Sequence, residues 1–111
     1  MSFDIEIYIA PSGKKPYVEW ETNLPKNIRA IVTARLGRLR GGNFGDCKPL
    51  VNAKGIYEMR IHIGPGYRIY YGKKKHAIVL LLCGGQKSTQ SKDLKKAKEY
   101  WLDYLDQGER K

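Results

Sequence analysis

Basic and aromatic side chains alternate with apolar ones along three neighbouring segments of the chain. The pattern runs through the stretch GIYEMRIHIGPGYRIYYGKKKHAIVLLLCGGQKSTQ. Successive side chains of a strand point to opposite faces, so Arg60 and His62 share one face of the first segment. Arg68 and Tyr70 share one face of the second segment, and Lys87 follows the third. Cations and aromatic rings gathered on an otherwise apolar sheet are what a site for a phosphodiester backbone requires.

The net charge of +10 is unevenly distributed along the 111 residues. Residues 60–98 contain ten Lys or Arg and one acidic residue, Asp93. A basic block of this kind predicts a polyanionic partner and an affinity that falls as salt is added. The alternative is that these lysines are solvated and only keep a small domain soluble. Lys73–Lys75 fits that alternative as the polar tip of a hairpin.

Length and composition favour one globular domain over residues 1–111. A chain that is 41% hydrophobic and 11% aromatic is too apolar for disorder. No stretch approaches the ~20 apolar residues of a membrane span, and the start shows no basic region before a long apolar core. We therefore expect a cytoplasmic protein without a signal peptide. In that compartment Cys47 and Cys83 are expected to be reduced, buried thiols, and a metal site is not supported.

The periodicity of the chain predicts an α+β fold. Alternating apolar residues indicate a first strand before Pro11, and Pro16–Thr22 can form a short helix with proline at its first position. An amphipathic helix is predicted over Pro25–Arg40, where two glycines end it. The later elements are a short strand at Cys47–Val51, antiparallel strands at 55–63, 67–73 and 76–83, and a helix from about Ser91 to Leu105. Gly84-Gly85 is expected to form a tight turn between the last strand and this helix.

Five motifs, taken in order, resemble those of the RelE/ParE toxin superfamily. They are GDCK at 45–48, GIYEMRI at 55–61, GPGYRIYY at 64–71, LLLCGGQKSTQ at 80–90 and the segment 93–101. The chain is most similar to the HigB-like branch, the "addiction module killer proteins" of bacterial type II toxin–antitoxin systems. The resemblance implies a RelE-like fold: an N-terminal strand, two helices, an antiparallel sheet of three to four strands and a C-terminal helix. That order agrees with the periodicity.

The function that the resemblance implies is inhibition of translation by cleavage of mRNA in the ribosomal A site. The partners would be the ribosome, its mRNA and a cognate antitoxin, often a helix-turn-helix protein in this branch. The chemistry would be transesterification without a metal or a small-molecule cofactor, in which the ribose 2′-OH attacks the adjacent phosphorus. Such a reaction needs a base for the 2′-OH, cations for the phosphate oxygens and an acid for the leaving oxygen.

The resemblance also assigns roles to four cationic side chains by their positions in the motifs. Arg68 matches the catalytic arginine of the RelE-type pattern and would stabilise the pentavalent phosphate. Arg60 matches a position that is commonly basic and catalytic or RNA-binding. Lys87 would hold the phosphate or assist the leaving group, and Lys48 would contact the RNA backbone. Arginine suits this work because its planar fork can bind two phosphate oxygens and stays charged.

The chain departs from the RelE-type pattern at the start of the C-terminal helix. Where those enzymes place a tyrosine or histidine, this sequence reads Ser-Thr-Gln-Ser at 88–91. His62 shares a strand face with Arg60, and imidazole is the usual general base near neutral pH, so His62 is a candidate base; the alternative is an exposed strand histidine without a catalytic role. Tyr70 could stack on an RNA base, and Gln90, which closes the GG-x-KSTQ motif, is a further candidate for RNA binding.

Three alternatives remain open from the sequence. Arg60 and Arg68 could be cross-strand partners of Glu58 in a surface salt-bridge ladder, without a role in catalysis. ParE-type members of the superfamily poison DNA gyrase, although they lack the nuclease cations. A non-catalytic basic domain that binds nucleic acid, or only its antitoxin, would also fit a helix start without an acid–base residue.

Overall fold

The computed structural model describes residues 2–75 and 77–109, which form an α+β fold around a mixed sheet. The strands are β1 Asp4–Ile7, β2 Cys47–Pro49, β3 Ile56–Ile61, β4 Tyr67–Lys74 and β5 Ile78–Gln86. The helices are α1 Pro16–Thr22, α2 Lys26–Arg40 and α3 Gln90–Glu109, and a 3-10 turn at Lys87–Thr89 leads into α3. The fold class expected from the sequence is confirmed.

The five strands lie in the order β1-β5-β4-β3-β2. The pairs β2–β3, β3–β4 and β4–β5 are antiparallel, as predicted, and β1 adds a parallel edge strand beside β5. This places β5 inside the sheet, which explains why it is apolar on both faces. The predicted start of this strand at 76 lies outside the described residues, and its end extends three residues further than expected, to Gln86.

The two faces of the sheet bury separate sets of side chains. On one face α1 and α2 cover Met59, Ile61, Ile69 and Tyr71, which are all almost fully buried. On the other face α3 covers Tyr70, Leu80 and Leu82 with Ala97 and Trp101. Each fully buried apolar side chain of this kind contributes about 1.5–3 kcal/mol relative to its exposure. The face under α3 is also the face of Arg60 and Arg68, because it continues the same alternation along β3 and β4.

The expected turn at Gly84-Gly85 is wrong, because both glycines belong to β5. Because these glycines have no side chains, residues of the helices can approach the strand closely at both positions. A Cβ on Gly84 would overlap the indole of Trp20, and a Cβ on Gly85 would overlap the carboxylate of Asp93. Because they are consecutive residues of one strand, the two glycines face opposite sides of the sheet: Gly84 pairs with Ile69 and Gly85 with Arg68. Sequence alone could not separate this use of glycine from a turn, since both require a residue without a side chain.

Helix α3 covers only part of its face of the sheet. It begins beside Gly85, where the Cys83 Sγ donates to the Asp93 carbonyl at 3.7 Å, and it reaches Gly72 through Trp101. The Gly64-Pro65-Gly66 turn, which joins β3 to β4, lies at the end of the sheet where α3 begins. Near that turn His62 and Lys87 are exposed and Arg60 is partly exposed, whereas Arg68 is largely buried.

Candidate active site

Strand pairing brings the four predicted catalytic residues into two adjacent rows at the open end of the sheet. Arg60 on β3 and Arg68 on β4 are direct partners in the antiparallel register. His62 follows Arg60 by two residues, and the backbone N–H of Lys87 donates to the Gly66 carbonyl at 2.9 Å. Because Gly66 precedes Arg68 by two residues, the second row runs from His62 past Gly66 to Lys87. The four residues therefore belong to neighbouring positions at the same end of the sheet.

Asp46, just before β2, holds both residues at the end of β3. Its Oδ1 accepts from Arg60 Nη2 at 2.8 Å, and its Oδ2 lies 2.5 Å from His62 Nε2. The backbone N–H of Arg60 also donates to the Asp46 carbonyl at 2.9 Å. The Arg60 guanidinium, and after it the His62 imidazole, hold the pKa of Asp46 below its ordinary value. The carboxylate thus stays charged and keeps both partners in place.

The bond to Asp46 also fixes which nitrogen of His62 is free. An ionised carboxylate can only accept hydrogen bonds, so the Nε2 that faces it carries the proton. In the neutral ring Nδ1 then has the lone pair, and the side chain is 70% exposed. A carboxylate that orients an imidazole in this way is the arrangement that general bases use. Asp46 was missed as a site residue, although the GDCK motif contains it.

Arg68 is paired with Glu58, two positions before Arg60 on β3. The side chains are 13% and 1% exposed, so this ion pair is buried. Of the ion pairs in the salt-bridge alternative, the structure contains one: Arg68 has Glu58 as its partner, in the interior and not on the surface, whereas Arg60 uses Asp46. Guanidinium carries five N–H donors, so the bond from Arg68 Nη1 to Glu58 leaves donors for a phosphate.

The expectation that Tyr70 stacks on an RNA base is wrong. Tyr70 is 0% exposed, lies in the core under α3 and has a pKa that burial raises to about 12. It shares a face with Arg68, as predicted, but Tyr70 is packed in the core under α3, whereas the Arg68 side chain keeps 13% of its surface exposed. Periodicity gives the face of a residue, and the position of the covering helix decides its exposure.

The two other predicted RNA-binding residues meet in a groove between β2 and α3. Lys48 pairs with Glu58 in the strand register, and both line the groove together with Gln90 at the start of α3. The groove lies one row from the paired arginines. Lys48, Gln90 and Lys87 have no side-chain hydrogen bond or ion pair to any other residue that the structure describes. All three side chains are thus available to a ligand.

Within residues 2–75 and 77–109, no three His, Cys, Asp or Glu side chains converge as a metal-binding group would. None of the helices in the same part of the chain is long and apolar enough to cross a membrane.

A family model matches residues 19–102 and is described as "Phage derived protein Gp49-like (DUF891)". The chain belongs to the Gp49-like family. This is a RelE-like family of addiction-module toxins, and an antitoxin partner follows in general from membership. The match includes every candidate site residue. A protein of Haemophilus influenzae, described only as an uncharacterized protein, is 51% identical to this chain over 81 residues, which are 71% of this chain and 79% of that protein.

Proposed function

We propose that this Gp49-like protein is the toxin of a type II toxin–antitoxin system of the HigB-like branch. In this proposal it inhibits translation in the cytoplasm by cutting mRNA in the ribosomal A site through metal-independent transesterification. The observation that carries the proposal is the row of Arg60 and Arg68, next to an imidazole that Asp46 orients. Family membership supports the toxin class, and the geometry supports phosphoryl transfer.

The proposed reaction begins with removal of a proton from the ribose 2′-OH. His62 Nδ1 is the acceptor, since Nε2 is occupied by Asp46. The 2′ oxygen then forms a bond to phosphorus while the bond from phosphorus to the 5′ oxygen breaks. The leaving 5′ oxygen takes up a proton from water and His62 afterwards returns its proton to solvent, so the products are a 2′,3′-cyclic phosphate and a 5′-OH. A well-placed general base of this kind contributes about 10²–10⁴-fold to the rate.

The cations of the two rows would stabilise the charge that develops in this reaction. Arg60 donates to Asp46 through Nε and Nη2, and Arg68 donates to Glu58 through Nη1. The remaining N–H donors of both guanidinium groups would bind the non-bridging phosphate oxygens. Lys87 lies at the far end of the row of His62, where the negative charge of the leaving 5′ oxygen would develop. Loss of one donor that acts on a transition state typically costs about 10²–10³-fold in rate.

The antitoxin is proposed to be a helix-turn-helix protein with an acidic or amphipathic segment that covers the cations. The open end of the sheet is exposed at His62 and Lys87, so inactivation requires that something neutralise or displace them. A complex that left Arg60, Arg68 and Lys87 all accessible would contradict direct occlusion.

Primer extension on translating ribosomes with bound mRNA is the test of the proposed activity. The wild-type chain should cut within the A-site codon, and His62→Ala and Lys87→Ala should each cut at least tenfold more slowly. Lys95→Ala is the matched control for charge, because Lys95 is an exposed lysine of α3 outside the site.

A supercoiling assay with purified gyrase, run in parallel, separates the other classes. Inhibition of gyrase with intact mRNA would identify a ParE-type poison. Binding of mRNA or antitoxin without either effect would identify a non-catalytic domain. Either result overturns the nuclease proposal.

A further inference from the structure

We propose that the groove between β2 and α3 binds one nucleobase that carries an exocyclic amino group, as adenine and cytosine do. This inference rests on the proposed function and adds to it the part of the substrate that the protein reads. The groove would then set sequence preference, while the arginine row handles the phosphate.

The size and walls of the groove suit a single flat ring system. Its volume is about 280 Å³, just below the roughly 300 Å³ at which pockets for drug-sized ligands begin. Leu50 and Val51 form one side and Leu94 lies on α3, so apolar side chains line both sides. Apolar surfaces of this kind can contact the faces of a base, and they place its edge against the floor.

The floor of the groove carries a buried negative charge. Glu58 lines the groove although it is only 1% exposed, and Arg68 binds its Oε1. A carboxylate has about four acceptor positions, so one bond from Arg68 leaves capacity for another donor. Since an ionised carboxylate can only accept, it would pair with the amino group of adenine or cytosine. It would repel the carbonyl oxygen that uracil or hypoxanthine presents at the same place.

Unpaired polar groups at the mouth complete the site. Gln90 offers an amide, with both a donor and an acceptor, to the edge of a base. Lys48 and Lys98 line the groove from opposite walls, β2 and α3, and can attract the flanking phosphates. The side chains of these three residues have no hydrogen-bond or ion-pair partner within the part of the chain that the structure describes.

The groove lies at the correct spacing from the proposed reaction centre. Lys48 and Glu58 form the row of the sheet next to Arg60 and Arg68. Rows on one face are separated by two residues, or about 7 Å at the rise of a strand. A base could therefore enter the groove while its own phosphate lies on the arginines.

Titration of the ¹⁵N-labelled full chain with 2′-O-methylated dinucleotides, followed by NMR, tests this inference without any need for cleavage. The probes form two pairs that differ in the amino group: ApA against its inosine analogue IpI, and CpC against UpU. We expect ApA and CpC to bind roughly 5- to 100-fold more tightly than their partners. The backbone signals of Leu50, Gln90 and Leu94 should shift.

Two glutamine-to-alanine variants, one in the groove and one outside it, show whether binding depends on the groove. Gln90→Ala should weaken ApA binding roughly fivefold or more. Gln107→Ala, the same change further along α3, where the side chain donates to Asp103, should leave it unchanged. Because Gln90 is on the surface of α3, its loss should not unfold the chain.

The outcomes test the base-binding groove and the nuclease activity separately. Equal affinity within both pairs, shifts confined to the region of His62 and Lys87, or no binding at all would overturn the groove assignment. If the chain cleaves mRNA and shows no such preference, the groove assignment fails and the proposed function stands. If the preference is found but mRNA on the ribosome stays intact, the groove stands and the nuclease proposal fails.

Discussion

Replacement of Arg68 by alanine should destabilise this protein far more than the same change at Arg60. The two arginines are direct partners across β3 and β4, yet their counter-ions differ in burial. Glu58, the partner of Arg68, is 1% exposed, whereas Asp46, the partner of Arg60, is 36% exposed in its side chain. Loss of Arg68 leaves a carboxylate buried without a counter-ion.

The magnitudes follow from that difference. Removal of one partner from a buried ion pair costs about 3–5 kcal/mol, because the remaining charge has neither water nor a counter-ion. Exposed pairs contribute only about 0.2–1 kcal/mol. A domain has about 5–15 kcal/mol in total, so Arg68→Ala could remove most of its free energy of unfolding. Loss of toxicity in Arg68→Ala would therefore not distinguish lost catalysis from lost folding.

Urea denaturation of the two variants measures this difference. With a urea m-value of about 1–3 kcal/mol/M, we expect the midpoint of Arg68→Ala to fall by at least about 1 M, and that of Arg60→Ala by well under 1 M. Equal shifts in the two variants would refute the assignment of Glu58 and Arg68 as a buried pair.

Arg68→Lys separates catalysis from folding. Lysine keeps a positive charge for Glu58 but lacks the planar fork that binds two phosphate oxygens. We expect this variant to remain folded and to cleave mRNA about 10²–10³-fold more slowly. Cleavage at the wild-type rate would mean that Arg68 acts as a charged structural partner and not as a phosphate clamp.

Three further predictions concern the rest of the chain. Asp46→Asn should slow cleavage by up to about 100-fold, because His62 loses its orientation, and should change the urea midpoint little. The control is Asp103→Asn, since the Asp103 carboxylate also accepts two hydrogen bonds but lies outside the site, and this change should not slow cleavage. Lys87→Ala should weaken RNA binding and lower the salt slope by about one, and an unchanged slope would place Lys87 outside the RNA contact. Burial raises the pKa of the Cys83 thiol from 9.0 to about 12, so the folded chain keeps a proton that the unfolded chain releases. The contribution of this thiol to the free energy of unfolding is therefore complete below pH 9. Between pH 9 and pH 12 it decreases by up to about 1.4 kcal/mol per pH unit. Urea denaturation at several pH values should show that Cys83→Ala loses less stability over this range than the wild-type chain.

The sequence by itself determined the fold class and the face on which the cations lie. The alternation along β3 and β4 is a local property, and the Gly64-Pro65-Gly66 turn joins the strands so that Arg60 meets Arg68. In the structure Gly64 and Gly66 have φ of +56° and +79°, a conformation that glycine adopts without strain. Short-range geometry of this kind can be predicted without knowledge of the rest of the chain.

Only the tertiary structure decided which of these side chains are accessible and what holds them. Arg68 and Tyr70 have the same periodicity, yet Tyr70 is fully buried under α3 and the Arg68 side chain is 13% exposed. Asp46 became part of the site through its contacts with Arg60 and His62, and the structure decided that Glu58 pairs with Arg68 and not with Arg60. Such contacts depend on where a distant helix starts and how strands pair, and a periodic pattern contains neither. The sequence therefore shows the cations of this site, and the pairing of β3 with β4 and with the segment that leads into β2 supplies their partners.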